Sequence, residues 1–171
     1  FKIDGTYQHD GAYIGFRLDD SGNGFKAVVS DKTVTLWRVM YGYDYETLAS
    51  AYLGDTFDIS QWHMLTIDAN GDNIKIYVDG DLRNYENPDI DAASGESGSG
   101  RIAIGSQIWR WPPDGQDGVA FFDDFRVAGA TDDILYDFEA GAGKDLTSGF
   151  KSSDAFRQNK IGMWQTDHLV V

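Results

Sequence analysis

The sequence predicts an all-β, antiparallel domain, and three observations carry that prediction. The first is the stretch from Trp62 to Gly80, WHMLTIDANGDNIKIYVDG, which holds two runs of alternating apolar and polar residues. Trp62, Met64, Leu65 and Ile67 mark the first run; Ile74, Ile76 and Val78 share one face of the second, with Lys75, Tyr77 and Asp79 on the other. A period of two with turn residues at both ends is the pattern of a half-buried hairpin. Asn70 and Gly71 tolerate the positive φ that a tight hairpin turn demands, and Asp79-Gly80-Asp81 reverses the chain again. The second observation is composition, since 14% aromatic residues and 20 glycines suit strands joined by many turns. The third is that no segment sustains an apolar i, i+3, i+4 pattern, residues 152–158 offering at most one helical turn.

Taken in order, residues 1–10 read as a short strand and a polar turn. Residues 12–18 (AYIGFRL) and 25–29 (FKAVV) flank Asp19-Asp20-Ser21-Gly22-Asn23-Gly24, a hairpin with dense turn chemistry. Residues 34–40 (VTLWRVM) alternate as a strand, 41–45 (YGYDY) interrupt it, and 47–53 lead into the connector 58–61 (DISQ). After the central hairpin, 84–99 are rich in Asn, Asp, Ser and Gly and read as a surface loop. Residues 102–104 and 121–127 (FFDDFRV) read as strands around the Pro/Gly loop 109–118, and 134–139 (ILYDFE) is a further strand pattern. The core is expected to take Ile14, Phe16, Val28, Trp37, Leu65, Ile67, Ile74, Ile76, Val78, Ile102, Ile104, Phe122 and Phe138, with Trp62 and Trp164 also inside.

The Trp-His opening, the Gly/Asn turn, the Tyr-Val-Asp-Gly close, GRIAIG at 100–105 and FFDDFRV at 121–127 resemble the laminin-G-like and pentraxin-like members of the concanavalin A-like lectin/glucanase superfamily. The resemblance covers roughly residues 11 to 128 and implies a two-sheet antiparallel jelly-roll sandwich whose relatives mostly bind carbohydrate. In similar modules an Asp-Phe-Glu strand and a Gly-x-Trp segment open the domain, so residues 131–171 resemble the front of such a module placed after its body. One domain is expected over 1–171, with 1–130 as the body and 131–171 as a tail supplying opening strands. The tail either folds back onto its own domain, a circular permutation, or inserts into a neighbouring copy by self-association. Read circularly, HLVV at the end runs into FKID at the start.

Composition bounds the function. A net charge of −14 argues against nucleic acid or an anionic membrane surface as partner, because both require Lys/Arg stripes. No run approaches the roughly 18 apolar residues that span a bilayer, so no membrane insertion is expected. Cysteine is absent, which removes disulfides and thiolate metal sites. The chain does not begin with Met and reads as a processed product or an excised segment; its acidity fits an extracellular, secreted setting.

Three groups carry candidate chemistry. Trp109 and Trp111 flank Arg110 before Pro112-Pro113, and a rigid loop showing indole faces suits sugar rings, with Arg110, Asp114 and Gln116 (and Asp117) as hydrogen-bonding partners. Tyr41, Tyr43 and Tyr45 form a second aromatic platform. Asp123 resembles the carboxylate that helps hold a structural calcium (Ca2+) in many such sandwiches, and Asp137 and Glu139 are its natural companions, since Ca2+ takes six to eight oxygens. Asp123 and Asp124, adjacent on one strand, point to opposite faces and so do not form the facing pair of a glycosidase.

His63 reads as structural, and His9 and His168 lack partners at metal-ligand spacing. The acidic E-x-D-x-x-E segment of the superfamily's glycanases is absent, as are G-x-S-x-G and phosphate-loop motifs. The expected function is therefore a non-catalytic, extracellular, calcium-stabilised lectin-like module for a glycan or polysaccharide. A structural or adhesive repeat assembled by strand exchange is the alternative, and a glycan-active enzyme a lesser one.

Overall fold

The computed structural model describes residues 1–4, 11–40, 44–71, 73–83, 100–107, 119–128, 134–136, 151–152 and 168–170. Every regular element among them is a strand: β1 Lys2–Asp4, β2 Gly11–Leu18, β3 Gly24–Ser30, β4 Thr33–Met40, β5 Asp44–Tyr52, β6 Leu65–Asn70, β7 Asn73–Val78, β8 Asp81–Leu82, β9 Arg101–Gln107, β10 Val119–Phe121, β11 Phe125–Val127, β12 Ile134–Tyr136, β13 Lys151–Ser152 and β14 His168–Val170. A seven-stranded antiparallel sheet runs β13-β14-β9-β2-β3-β4-β5 and a three-stranded one β6-β7-β8, while β1-β10 and β11-β12 are ribbons.

The two larger sheets sandwich one core. Ala12, Phe16, Phe25, Ala27, Val29, Val34 and Leu36 from the large sheet meet Ile74, Ile76 and Val78 from β7, and Phe1, Ile3 and Leu53 join them. Each fully buried Val, Leu, Ile or Phe among them contributes about 1.5–3 kcal/mol. Of the expected core, Phe16, Val28, Ile74, Ile76, Val78 and Ile104 are buried, and Ile14, Trp37, Leu65, Ile67, Ile102 and Phe122 are half-buried. Phe138 and Trp164 lie outside the described residues.

Local chemistry explains the turns. Asp19 Oδ1 accepts from the backbone of Ser21 and Asn23 at 2.8 Å each, closing the β2–β3 connection. Gly24 is required there, because at φ 148° a Cβ would stand 2.5 Å from the Arg17 carbonyl oxygen. In the central hairpin Asn70 pairs with Asn73, so Asn70 stays in its strand and Gly71, at φ 57°, takes the left-handed position. Arg17, at φ 53° in the bulge of β2, donates to the Gly71 carbonyl at 2.7 Å and ties the large sheet to this turn.

Two expectations are corrected. Trp62, expected in the core, is 53% exposed, and Met64 of the same apolar run is 59% exposed. The strand starts only at Leu65, so alternation is not yet in force at 62–64. It is His63 that turns inward there, its ring stacked on Phe57 at 4.2 Å. Residues 121–127 are not one strand either. Pairing stops at Phe121 and resumes at Phe125 because Asp124 adopts φ 50° and Asp123 Oδ1 accepts the Asp124 N–H at 2.9 Å. The strand alternation that set Asp123 and Asp124 on opposite faces therefore has no footing.

In the tail, β12 pairs with β11, and β14 pairs with β9, His168 opposite Gly105 and Val170 opposite Ala103. β1 lies against β10 in a separate ribbon, so residues 168–170 and 2–4 do not form one continuous strand. Deleting residues 131–171 bares the backbone edge of β9, an open template for association. Sedimentation and chemical melting are expected to show a destabilised or associating fragment; a monomer of unchanged stability would make the tail an appendage.

Candidate ligand-binding face of the large sheet

Strand β3 decides where a site lies. Its residues alternate between the core face, which takes Phe25, Ala27 and Val29, and the opposite face, which takes Gly24, Lys26 and Val28. The register carries that opposite face sideways. Lys26 sits beside Gly15 of β2 and Trp37 of β4, Val28 lies beside Tyr13, and Val39 lies beside Tyr45 of β5. Tyr13, Leu18, Val28 and Ala103 form a second apolar cluster here, with Trp37 packed against it.

A small recess open to solvent has Tyr13, Gly15, Leu18, Lys26, Val39, Tyr45 and Ala103 in its lining. Lys26 is 6% exposed. Its Nζ stands 3.8 Å from the centre of the Tyr13 ring and 5.6 Å from that of Tyr45, so two π faces partly replace lost water. Burial pushes the Lys26 ammonium down to about 7 and pushes the Tyr45 phenol up. Tyr45 also packs at a tilt on Trp37, ring centres 5.2 Å apart, and the Trp37 indole N–H donates to Thr47 Oγ1 at 3.1 Å. Aromatic faces with one inward cation and hydroxyls nearby suit a ring that is apolar on its faces and polar at its edge.

A second cluster is structural. His63 Nδ1 meets Asp79 Oδ2 at 2.7 Å and its Nε2 meets the Asp58 carbonyl at 2.8 Å, so both ring nitrogens are engaged. Asp79 Oδ1 accepts the Met64 N–H at 2.8 Å. Against the effect of its partial burial, that bond and His63 hold the Asp79 carboxyl below the usual range. Asp79 and Gly80, at φ 55° and 83°, form the tight turn into β8, so the cluster locks the entry to the central hairpin and the turn after it.

Of the residues singled out from the sequence, Tyr45 lies in the recess, on β5 rather than in an interrupting loop. Asp123 is exposed in the turn between β10 and β11. Trp109, Arg110, Trp111, Asp114, Gln116, Tyr41, Tyr43, Asp137 and Glu139 lie outside the described residues. Among the described residues no group of three or more His, Cys, Asp or Glu side chains is placed to hold a metal ion. Sequence reasoning missed Tyr13 and Lys26. The signal was present in GFKAVVS, where both alternate sets are apolar or small apart from the lysine, the mark of a strand covered on both faces.

Comparison with known proteins agrees with this architecture: the family model of the concanavalin A-like lectin/glucanases superfamily matches residues 1–131. Neither the curated proteins nor the solved structures gave a match.

Proposed function

The chain belongs to the concanavalin A-like lectin/glucanases superfamily, and from that premise we propose that it is a non-catalytic, extracellular module that holds a glycan against the Tyr13–Lys26–Tyr45 face. The observation that carries this reading is the recess itself, where two tyrosine rings and a buried ammonium converge on one hollow. The carbohydrate-binding character of the superfamily supports the ligand class. The non-catalytic part of the reading rests on the sequence, which lacks the E-x-D-x-x-E segment of the superfamily's glycanases. The net charge of −14 supports an extracellular setting. A glycan array tests the proposal. Binding to one glycan class is expected, and Tyr45→Ala is expected to lose about 1–2 kcal/mol of affinity, roughly tenfold. If Trp109→Ala/Trp111→Ala abolishes binding while Tyr45→Ala leaves it intact, the site belongs to the 109–118 loop instead.

Calcium is part of the same proposal, with Asp123, Asp137 and Glu139 as the donor set. Asp123 already spends one oxygen on the Asp124 N–H, leaving its other oxygen for an ion. A ligand bound only to the folded state adds about 2.7 kcal/mol at a hundredfold excess over Kd. Melting of a metal-stripped sample should therefore rise by several degrees on adding Ca2+, and superimposable curves would remove calcium from the account.

In a second reading, a structural subunit joined to its neighbours by strand exchange, the tail strand of one copy would take the place on β9 that the chain's own β14 fills here. A mass measurement giving a large polymer without sugar affinity would select it.

A further inference from the structure

Lys26 has an unusual electrostatic position. Several other cations in the described structure reach an oxygen: Arg38 has Glu46 at 2.8 Å, Arg101 has Asp20 at 2.6 Å, Arg83 has Asp81 at 3.4 Å, and Arg17 and Lys32 donate to the Gly71 and Asp55 carbonyls at 2.7 and 2.9 Å. Lys26 is the most deeply buried of them, yet among the described residues no carboxylate, carbonyl or hydroxyl is bonded to its Nζ. Scarcity of acids is not the reason, since the chain carries 28 Asp and Glu. Around it β2 presents Tyr13 and Gly15, β4 presents Trp37 and Val39, β5 presents Tyr45 and β9 presents Ala103. Among the described residues the titratable groups facing the amine are therefore the two phenols. A desolvated cation beside a hollow, with π faces and no counter-ion among the described residues, leaves a place for an anion.

We infer that the recess selects acidic sugars, the carboxylate or sulfate of a pyranose unit accepting from Lys26 Nζ while the ring lies at the mouth beside the half-buried Tyr45. This rests on the glycan-binding reading and adds the charge of the glycan to it. The inference has a proton signature. With the free amine titrating near 7, an anion that binds the ammonium draws a proton in at neutral pH, and affinity falls by up to about tenfold per pH unit above that point.

Isothermal titration with an oligogalacturonate, a sulfated galactan oligosaccharide and a neutral galactan oligosaccharide tests it. At pH 6 an acidic probe is expected to bind at least about thirtyfold more tightly than the neutral one, the cost of leaving one charge-assisted hydrogen bond unmade. The tighter of the two acidic probes identifies carboxylate or sulfate as the recognised group. In Lys26→Met the acidic-to-neutral ratio should fall toward one. Independently of any variant, wild-type protein titrated at pH 7 in two buffers of different ionisation enthalpy should take up about half a proton per site. Equal affinity for neutral and acidic probes, or a preference that survives Lys26→Met, overturns the inference and leaves the glycan-binding reading standing. Absence of binding by all three probes overturns the inference, and the glycan array then decides whether the glycan-binding reading stands.

Discussion

Lys26→Met is expected to stabilise the protein at pH 7 and to erase a pH dependence that the wild type shows. Burial lowers the Lys26 pKa from 10.5 to about 7 in the folded chain. Between those values the unfolded chain holds more of the proton, so wild-type stability rises with pH, by up to about 1.4 kcal/mol per unit. Below about 7 the amine is protonated in both states and the slope vanishes. The whole rise has a ceiling of about 5 kcal/mol, reduced by whatever the Tyr13 and Tyr45 faces return to the cation. Burial of Tyr45 works the other way once the pH enters the tyrosine range, because the unfolded phenol then releases its proton first. Urea midpoints measured from pH 6.5 to 9.5 should climb in the wild type and stay level in Lys26→Met. Parallel curves would mean that Lys26 is solvated in the folded protein.

Ile76→Ala should cost about 2–5 kcal/mol, the range for a large-to-small change in a filled core. Ile76 has no exposed surface and sits on β7, the middle strand of its sheet, with Ile74 and Val78 beside it in the core shared with the large sheet. Its partner across the hairpin is Ile67. Equilibrium urea unfolding gives the difference directly. A loss below roughly 1 kcal/mol would place the wrong face of the hairpin inward.

The hairpins were legible because two local signals agree at each of them. At β6–β7 and at β2–β3 an alternating run ends in Asp, Asn and Gly, and the structure uses those residues for positive φ and side-chain closure. Strand limits were harder. Trp62 and Met64 continue the apolar pattern beyond the point where pairing begins, and an exposed aromatic reads like a buried one in sequence. The Phe121–Val127 strand is cut by a single left-handed Asp124, which no periodicity reveals.

The site was less legible than the fold. Tyr45 was singled out as a loop platform and lies on a strand, because pairing with Val39 extends β5 back to Asp44. Lys26 escaped notice because a lysine in a strand is ordinarily read as its solvent side. Only the lateral register, which sets Gly15 and Trp37 beside it and brings in Tyr13 and Tyr45, shows that this side is covered. The pairing of β14 with β9 joins residues far apart in the chain, and no local pattern encodes it.

The central claim is that this face of the large sheet holds a glycan, and amide chemical-shift mapping tests it most directly. Titrating isotope-labelled protein with the best oligosaccharide from the array should move the resonances of Tyr13, Gly15, Lys26, Tyr45 and Ala103, leaving those of Ile74 and Ile76 in place. Shifts confined to other surfaces, with the amides of β2, β3 and β5 unmoved at saturation, would contradict it.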